Sequence, residues 1–203
     1  TVEPERWYTV AEAVAEFDAY HHPLTAHGAN NCLLTAENSA WDDKPYHAWF
    51  GLQPQEYTLN NTAYLRGFYA IDKPVVCYET GYEELWADKV QALGAGYKSY
   101  LTGMCGYGYG AQGVWNDDYS PDDWMHYGDY RRWFDALQLD GGKKLIHCRH
   151  FFEALEWWRL TPRFDDPAWS DFQTNERKSL ATVEDETYVV CLFDETLSSG
   201  ELR

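Results

Sequence analysis

Glu79 is the side chain best placed to do chemistry. It closes the run Lys73-Pro-Val-Val-Cys-Tyr-Glu-Thr80, whose apolar stretch Val75 to Tyr78 has the character of a short parallel strand covered on both faces. Pro74 stands at the strand's start, where a missing N–H costs no interior ladder bond. In parallel α/β folds the carboxyl ends of strands form the rim of the active site. A carboxylate there either attacks or takes a proton, or is a structural acid paired with an arginine.

Other side chains fall at comparable places. His27 ends the stretch Pro23 to His27, Gln53 ends Pro45 to Gln53, and Trp115 ends the glycine-rich run that starts at Gly103. Tyr82 follows Glu79 by three residues, where its phenol either orients the carboxylate or faces water; Tyr109 belongs to the same glycine-rich run as Trp115. A competing reading makes His21, His22, His27 and Glu79 the ligands of a metal-dependent hydrolase. Asp117, Asp118, Asp122 and Asp123 crowd one segment, but their spacing fits no EF-hand and a solvated acidic loop is the simpler account. Gly108, Gly110 and Gly113 mimic a dinucleotide fingerprint, yet no helix-forming stretch with a suitably spaced acid follows, nor does the Lys-Ser/Thr end of a P-loop.

The elements that must position these residues alternate. Residues 5–19 place Trp7, Val10, Val14 and Phe17 on one helical face and Glu12 and Glu16 on another, which predicts an amphipathic helix ending before His22-Pro23. A strand over 23–28, a polar loop over 30–44, a strand over 45–53, a helix over about 56–70, the strand 73–79 and a helix over 83–100 follow. Further helices are predicted near 127–137 and over 143–158, and strands over 180–183 and 187–193. Helix and strand in alternation imply parallel strands with crossover helices, in a barrel or a doubly wound sheet.

Composition narrows the partners. The 203 residues carry a formal net charge of −17, which excludes nucleic acid and anionic membrane surfaces on electrostatic grounds and favours a neutral substrate. No apolar run is long enough to span a bilayer, and the first residues lack the layout of a signal peptide. Because the sequence starts at Thr1 rather than Met, an upstream piece is expected to be missing and secretion stays open. The five cysteines are scattered without a CxxC pair, arguing against zinc or a disulfide scaffold; Cys77 and Cys105 read as small buried residues. Aromatics make up 17% of the chain, including 10 Trp and 16 Tyr, a richness found in sugar-binding clefts as well as in ordinary cores.

Four ordered motifs carry a resemblance: Asp18 to His27, Trp49-Phe-Gly-Leu-Gln53, Lys73 to Glu79, and Gly103 to Trp115. With the later Glu156-Trp-Trp-Arg-Leu-Thr-Pro162, the chain from residue 5 onward resembles the second half of apiosidase-like (β/α)8 glycoside hydrolases. The resemblance implies an α/β fold that is the C-terminal half of a TIM barrel over residues 1–178, followed by the first strands of a β-sandwich over 179–203. It implies Glu79 as the catalytic carboxylate ending the seventh strand, and a partner acid on a fourth strand that would precede Thr1. The missing first half would then come from the same gene product or from a partner chain.

Glycoside hydrolysis by two carboxylates needs no cofactor and no metal. In this setting His27 and Gln53 would meet sugar hydroxyls or simply finish the barrel rim. Trp115 would offer a stacking face, Tyr109 would point into the same region, and Tyr82 would orient Glu79. The substrate would be a plant or microbial polysaccharide or oligosaccharide, and the family setting favours an extracytoplasmic location. The rival within the same fold is a carbohydrate-binding relative that does not hydrolyse. The sequence departs from relatives at Gln112, where His is common, and at Lys98, where a bulky aromatic is common.

Overall fold

The computed structural model describes residues 4–25, 44–53, 59–85, 87–114, 132–170, 178–183 and 187–193. Its first element, helix α1 (Pro4–Phe17), ends where Asp18 turns its carboxylate back onto the main-chain N–H groups of Tyr20 and His22, at 3.0 and 2.7 Å. The apolar face read from the sequence is there. It is exposed, with Trp7 53%, Val10 53%, Val14 44% and Phe17 79% accessible.

Three short strands form a parallel sheet in the order β1 (Phe50–Leu52), β2 (Val75–Cys77) and β3 (Gly106–Tyr107). Phe50 pairs with Val75 and Leu52 with Cys77, while Val76 pairs with Gly106 and Cys77 with Tyr107. Leu24 makes a parallel bridge to His47, shortly before β1; of the strand predicted over 23–28, residues 26–28 lie outside the described residues. β2 is therefore the central strand, and Val75 and Cys77 are buried.

Crossover helices link the strands, as parallel pairing requires. α2 (Thr62–Tyr69) starts where Asn61 accepts from the N–H groups of Ala63 and Tyr64; of the helix predicted over about 56–70, residues 56–58 lie outside the described residues. α3 (Lys89–Leu101) opens on a capping box, Asp88 accepting from the Gln91 N–H and Gln91 answering the Asp88 N–H. That cap corrects the start of the helix predicted from residue 83: residues 83–85 and 87–88 are not helical. Leu65 and Phe68 of α2 and Ala95 of α3 pack with Leu52, Val75, Cys77 and Met104 into one apolar core. Leu65 is wholly enclosed, and truncating such a side chain costs about 2–5 kcal/mol.

Of the helix predicted near 127–137, the described part is one turn, α4 (Trp133–Ala136). The helix predicted over 143–158 is α5 (Asp140–Glu153), followed by a 3-10 turn at Trp157–Arg159. A second, antiparallel sheet joins β4 (Thr161–Pro162), β5 (Lys178–Val183) and β6 (Thr187–Leu192) in that order. Ala181 and Val189 of this sheet share a core with Leu101 of α3 and Cys148 and Phe152 of α5. Lys178 is fully enclosed and donates to the Phe164 carbonyl at 2.8 Å. Among the described residues no helix is long and apolar enough to cross a membrane.

Candidate active site at the strand ends

Gln53 follows β1 and Glu79 lies two residues past β2, so the register of the two strands brings both to one edge of the sheet. The main-chain N–H groups of Tyr78 and Glu79 both reach back to the Leu52 carbonyl, at 3.2 and 3.3 Å. The Gln53 amide then donates to Glu79 Oε1 at 2.6 Å. Tyr82 donates its phenolic hydrogen to the same oxygen. Both partners are neutral donors, a pairing suited to an ionised carboxylate, which can only accept.

Tyr82 is almost wholly enclosed, 8% accessible. Burial, reinforced by its bond to Glu79 and the charge on that acid, pushes the Tyr82 phenol well above its ordinary range. It therefore stays a donor at physiological pH. Space for its ring depends on Gly110, because a Cβ there would come within 1.8 Å of the ring.

Tyr109 takes a different partner. Its hydroxyl lies 2.5 Å from Glu83 Oε2, and burial, with Glu83 as acceptor, raises its phenol too. Glu83 was not singled out by sequence, because a helix predicted from residue 83 would make it a solvated first-turn acid. It is 3% accessible, and its other oxygen accepts from the Gly141 N–H at 3.3 Å. Leu139 precedes α5 with no side-chain cap, so that helix needs an acceptor from elsewhere, but with the helix predicted only from residue 143 the sequence did not show this.

Tyr107, on β3, donates to the Ala92 carbonyl at 2.7 Å, so the Thr80 hydroxyl 3.2 Å away is the donor to Tyr107. This contact steadies the segment just after Glu79. A cavity of about 610 Å³ lies behind Tyr82 and Tyr109, with Ala111, Leu137 and Leu139 among its walls and Lys143 at its lining.

The structure thus brings Glu79, Gln53 and Tyr82 together and gives the Tyr109 hydroxyl to Glu83. His27, Trp115 and the acidic run Asp117 to Asp123 lie outside the described residues. Of the proposed metal ligands, His22 sits on the surface with its ring nitrogen 2.9 Å from Asp18. Among the described residues, no group of three or more His, Cys, Asp and Glu is arranged to hold an ion. Gln112, where relatives often carry His, is buried and gives its main-chain N–H to the Glu83 carbonyl at 2.9 Å. Lys98 donates to Asn60 and lies 4.5 Å from the centre of the Phe193 ring. Cys105 is exposed, contrary to the sequence reading, and stands just before β3 rather than in it, whereas Cys77, in β2, is buried as read.

Residues 2–159 match the family model described as Apiosidase-like, catalytic domain. The chain belongs to this family. Its fold agrees: a solved chain described as a glycoside hydrolase superposes on the apiosidase-like chain with a TM-score of 0.69 at 18% identity, over 87% of this chain and 45% of that one. A glycoside hydrolase family 5 protein from Bacteroides vulgatus ATCC 8482 gives 0.64 at 17% identity, over 87% and 45%. At such identities the likeness is one of fold: a mixed α/β architecture with a parallel sheet, shared with glycoside hydrolases. The apiosidase-like chain spans less than half the length of these two structures. No curated protein matches it in sequence.

Proposed function

We propose that this apiosidase-like chain is the C-terminal half of a (β/α)8 glycoside hydrolase, with Glu79 as one of two reacting carboxylates. The observation that carries the reading is Glu79 itself, at the carboxyl edge of the central parallel strand, with Oε1 held by Gln53 and Tyr82. Two donors on one oxygen fix the plane of the carboxylate, so the group does not have to be ordered again as the reaction proceeds. Glu79 then attacks the anomeric carbon, or activates the water that does, while a second acid outside this chain protonates the departing glycosidic oxygen. The nucleophile role is preferred by analogy with late-strand glutamates in barrel glycosidases. The substrate class is a neutral or branched plant or microbial glycan, consistent with a chain whose net charge is −17.

Under the same reading, residues 179–203 open a β-sandwich that follows the catalytic domain, and His27 and Trp115 contribute to the sugar subsites. The test is hydrolysis of a glycan panel that includes apiose-bearing pectic oligosaccharides, using the full-length gene product. Glu79→Gln should lower turnover by about 10² to 10⁴ on whichever glycan is cleaved. Unchanged turnover would sink the assignment, and glycan binding with no cleavage anywhere in the panel would favour a carbohydrate-binding protein instead.

A further inference from the structure

We propose that Glu83 is a positioning residue: its buried carboxylate clamps the loop carrying Glu79 and Tyr82 between the tip of β3 and the amino end of α5, and so sets the Tyr82 phenol on Glu79. The inference rests on the reading of Glu79 as the reacting group. It concerns a residue that reading leaves without a task.

A carboxylate at 3% accessibility is costly to bury and persists only where its oxygens are held. Each Glu83 oxygen has a donor on a different element: the Tyr109 hydroxyl at 2.5 Å, just beyond β3, and the Gly141 N–H at 3.3 Å, in the first turn of α5. Leu139 gives that helix no side-chain cap, so Glu83 supplies the acceptor and also places a negative charge against the positive end of the helix dipole. The fit is closed on the helix side, since a Cβ at Gly141 would stand 2.1 Å from Glu83 Oε2.

The main chain of the same residue is tied as well. Its N–H donates to the Gly110 carbonyl at 3.0 Å, and its carbonyl accepts from Gln112 at 2.9 Å. Side chain and backbone of Glu83 therefore fix the loop in two directions one residue away from Tyr82. The Tyr82 carbonyl receives Leu85 and Ala87, at 3.0 and 3.1 Å, and its ring lies against Gly110. Displacing Glu83 moves that ring, and with it the donor on Glu79 Oε1.

The two informative substitutions differ in chemistry. A glutamine at this position still accepts from Gly141, and its amide can donate to Tyr109, whose hydroxyl turns to accept. Alanine removes both contacts and leaves the buried Gly141 N–H and the half-buried Tyr109 hydroxyl without Glu83 as acceptor.

The experiment follows Tyr82 directly, in the full-length protein labelled with ¹³C at tyrosine Cζ, the resonance being located by its loss in Tyr82→Phe. In the parent and in Glu83→Gln it should remain that of a protonated phenol to about pH 11, above the ordinary phenol midpoint of about 10. In Glu83→Ala it should titrate with the exposed tyrosines. Because burial and Glu79, not the charge of Glu83, hold the Tyr82 proton, such a drop reports lost placement rather than lost charge. An unmoved Tyr82 in folded Glu83→Ala, or Glu83→Gln behaving like Glu83→Ala, overturns the proposal. Should Glu83→Ala not fold, Tyr109→Phe removes the shorter clamp contact, and an unmoved Tyr82 there overturns it equally. The readout needs no substrate, so absence of hydrolysis would count against the function alone. On a cleaved glycan, Glu83→Ala should lower kcat about tenfold but no more than about twofold in a Tyr82→Phe background, and additive losses would contradict the shared route.

Discussion

Gln53 Nε2 lies 2.6 Å from Glu79 Oε1, a side-chain bond that joins the carboxyl ends of two adjacent parallel strands. Gln53→Ala removes one donor from a carboxylate, an interaction worth about 1.5–3 kcal/mol. If that bond is stronger in the transition state than in the ground state, kcat falls by about ten- to a hundredfold with KM little changed. Steady-state kinetics on a cleaved glycan decide it; a rise in KM alone would assign Gln53 to substrate binding.

Alkali should destabilise the fold earlier than its core packing suggests. Burial first, and in two cases a glutamate acceptor, raises the phenols of Tyr82, Tyr107 and Tyr109 in the folded state. A phenol whose folded pKa exceeds the unfolded value stabilises the fold fully below about pH 10, and that contribution disappears as pH rises through the folded pKa. Urea midpoints measured from about pH 8 to 11 should fall above pH 10, and Tyr107→Phe should flatten the slope. A flat profile in the parent would contradict the burial of these hydroxyls.

Thiol reagents should separate two cysteines that flank the same strand pair. Burial pushes the Cys77 thiol up to about 12, while Cys105 is exposed. Thiolate is the reactive form, so maleimide at neutral pH should modify Cys105 rapidly and reach Cys77 only on unfolding. Peptide mapping after short exposure reads the order directly.

Helix α3 depends on its amino cap. Asp88 accepts from both Val90 and Gln91 at 2.8 Å. Asp88→Ala should cost about 1 kcal/mol, within a range of about 0.5–2. Asp88→Asn should recover most of it, since the amide oxygen still accepts; equal losses for both would show that charge, not the hydrogen bond, is what counts.

The parallel sheet was legible because Val75, Val76 and Cys77 form a β-rich apolar run after a proline, and Glu79 was legible as the polar residue terminating it. Gln53 and Tyr82 were marked by position alone, one at a strand end and one three residues past the acid. Residues 83–85 were misread as helix because an acidic, apolar-spaced stretch looks helical, whereas Glu84 adopts φ 68°, a left-handed conformation that interrupts any helix there. Nothing in a glutamate's identity announces that conformation. Glu83 was missed for a related reason: its partners Tyr109 and Gly141 are 26 and 58 residues away, and such pairings arise from the fold rather than from spacing.

The exposed stripe of α1, Trp7 with Val10, Val14 and Phe17, sits on a chain of net charge −17, and the two pull in opposite directions. Like charge keeps molecules of residues 1–203 apart in dilute buffer, where its reach is long. Added salt shortens that reach, from about 30 Å at 0.01 M to about 3 Å at 1 M, yet leaves apolar attraction intact. Light scattering from this chain should therefore grow with ionic strength, the reverse of what an ion-paired contact would do, so low salt is the condition under which it stays dispersed.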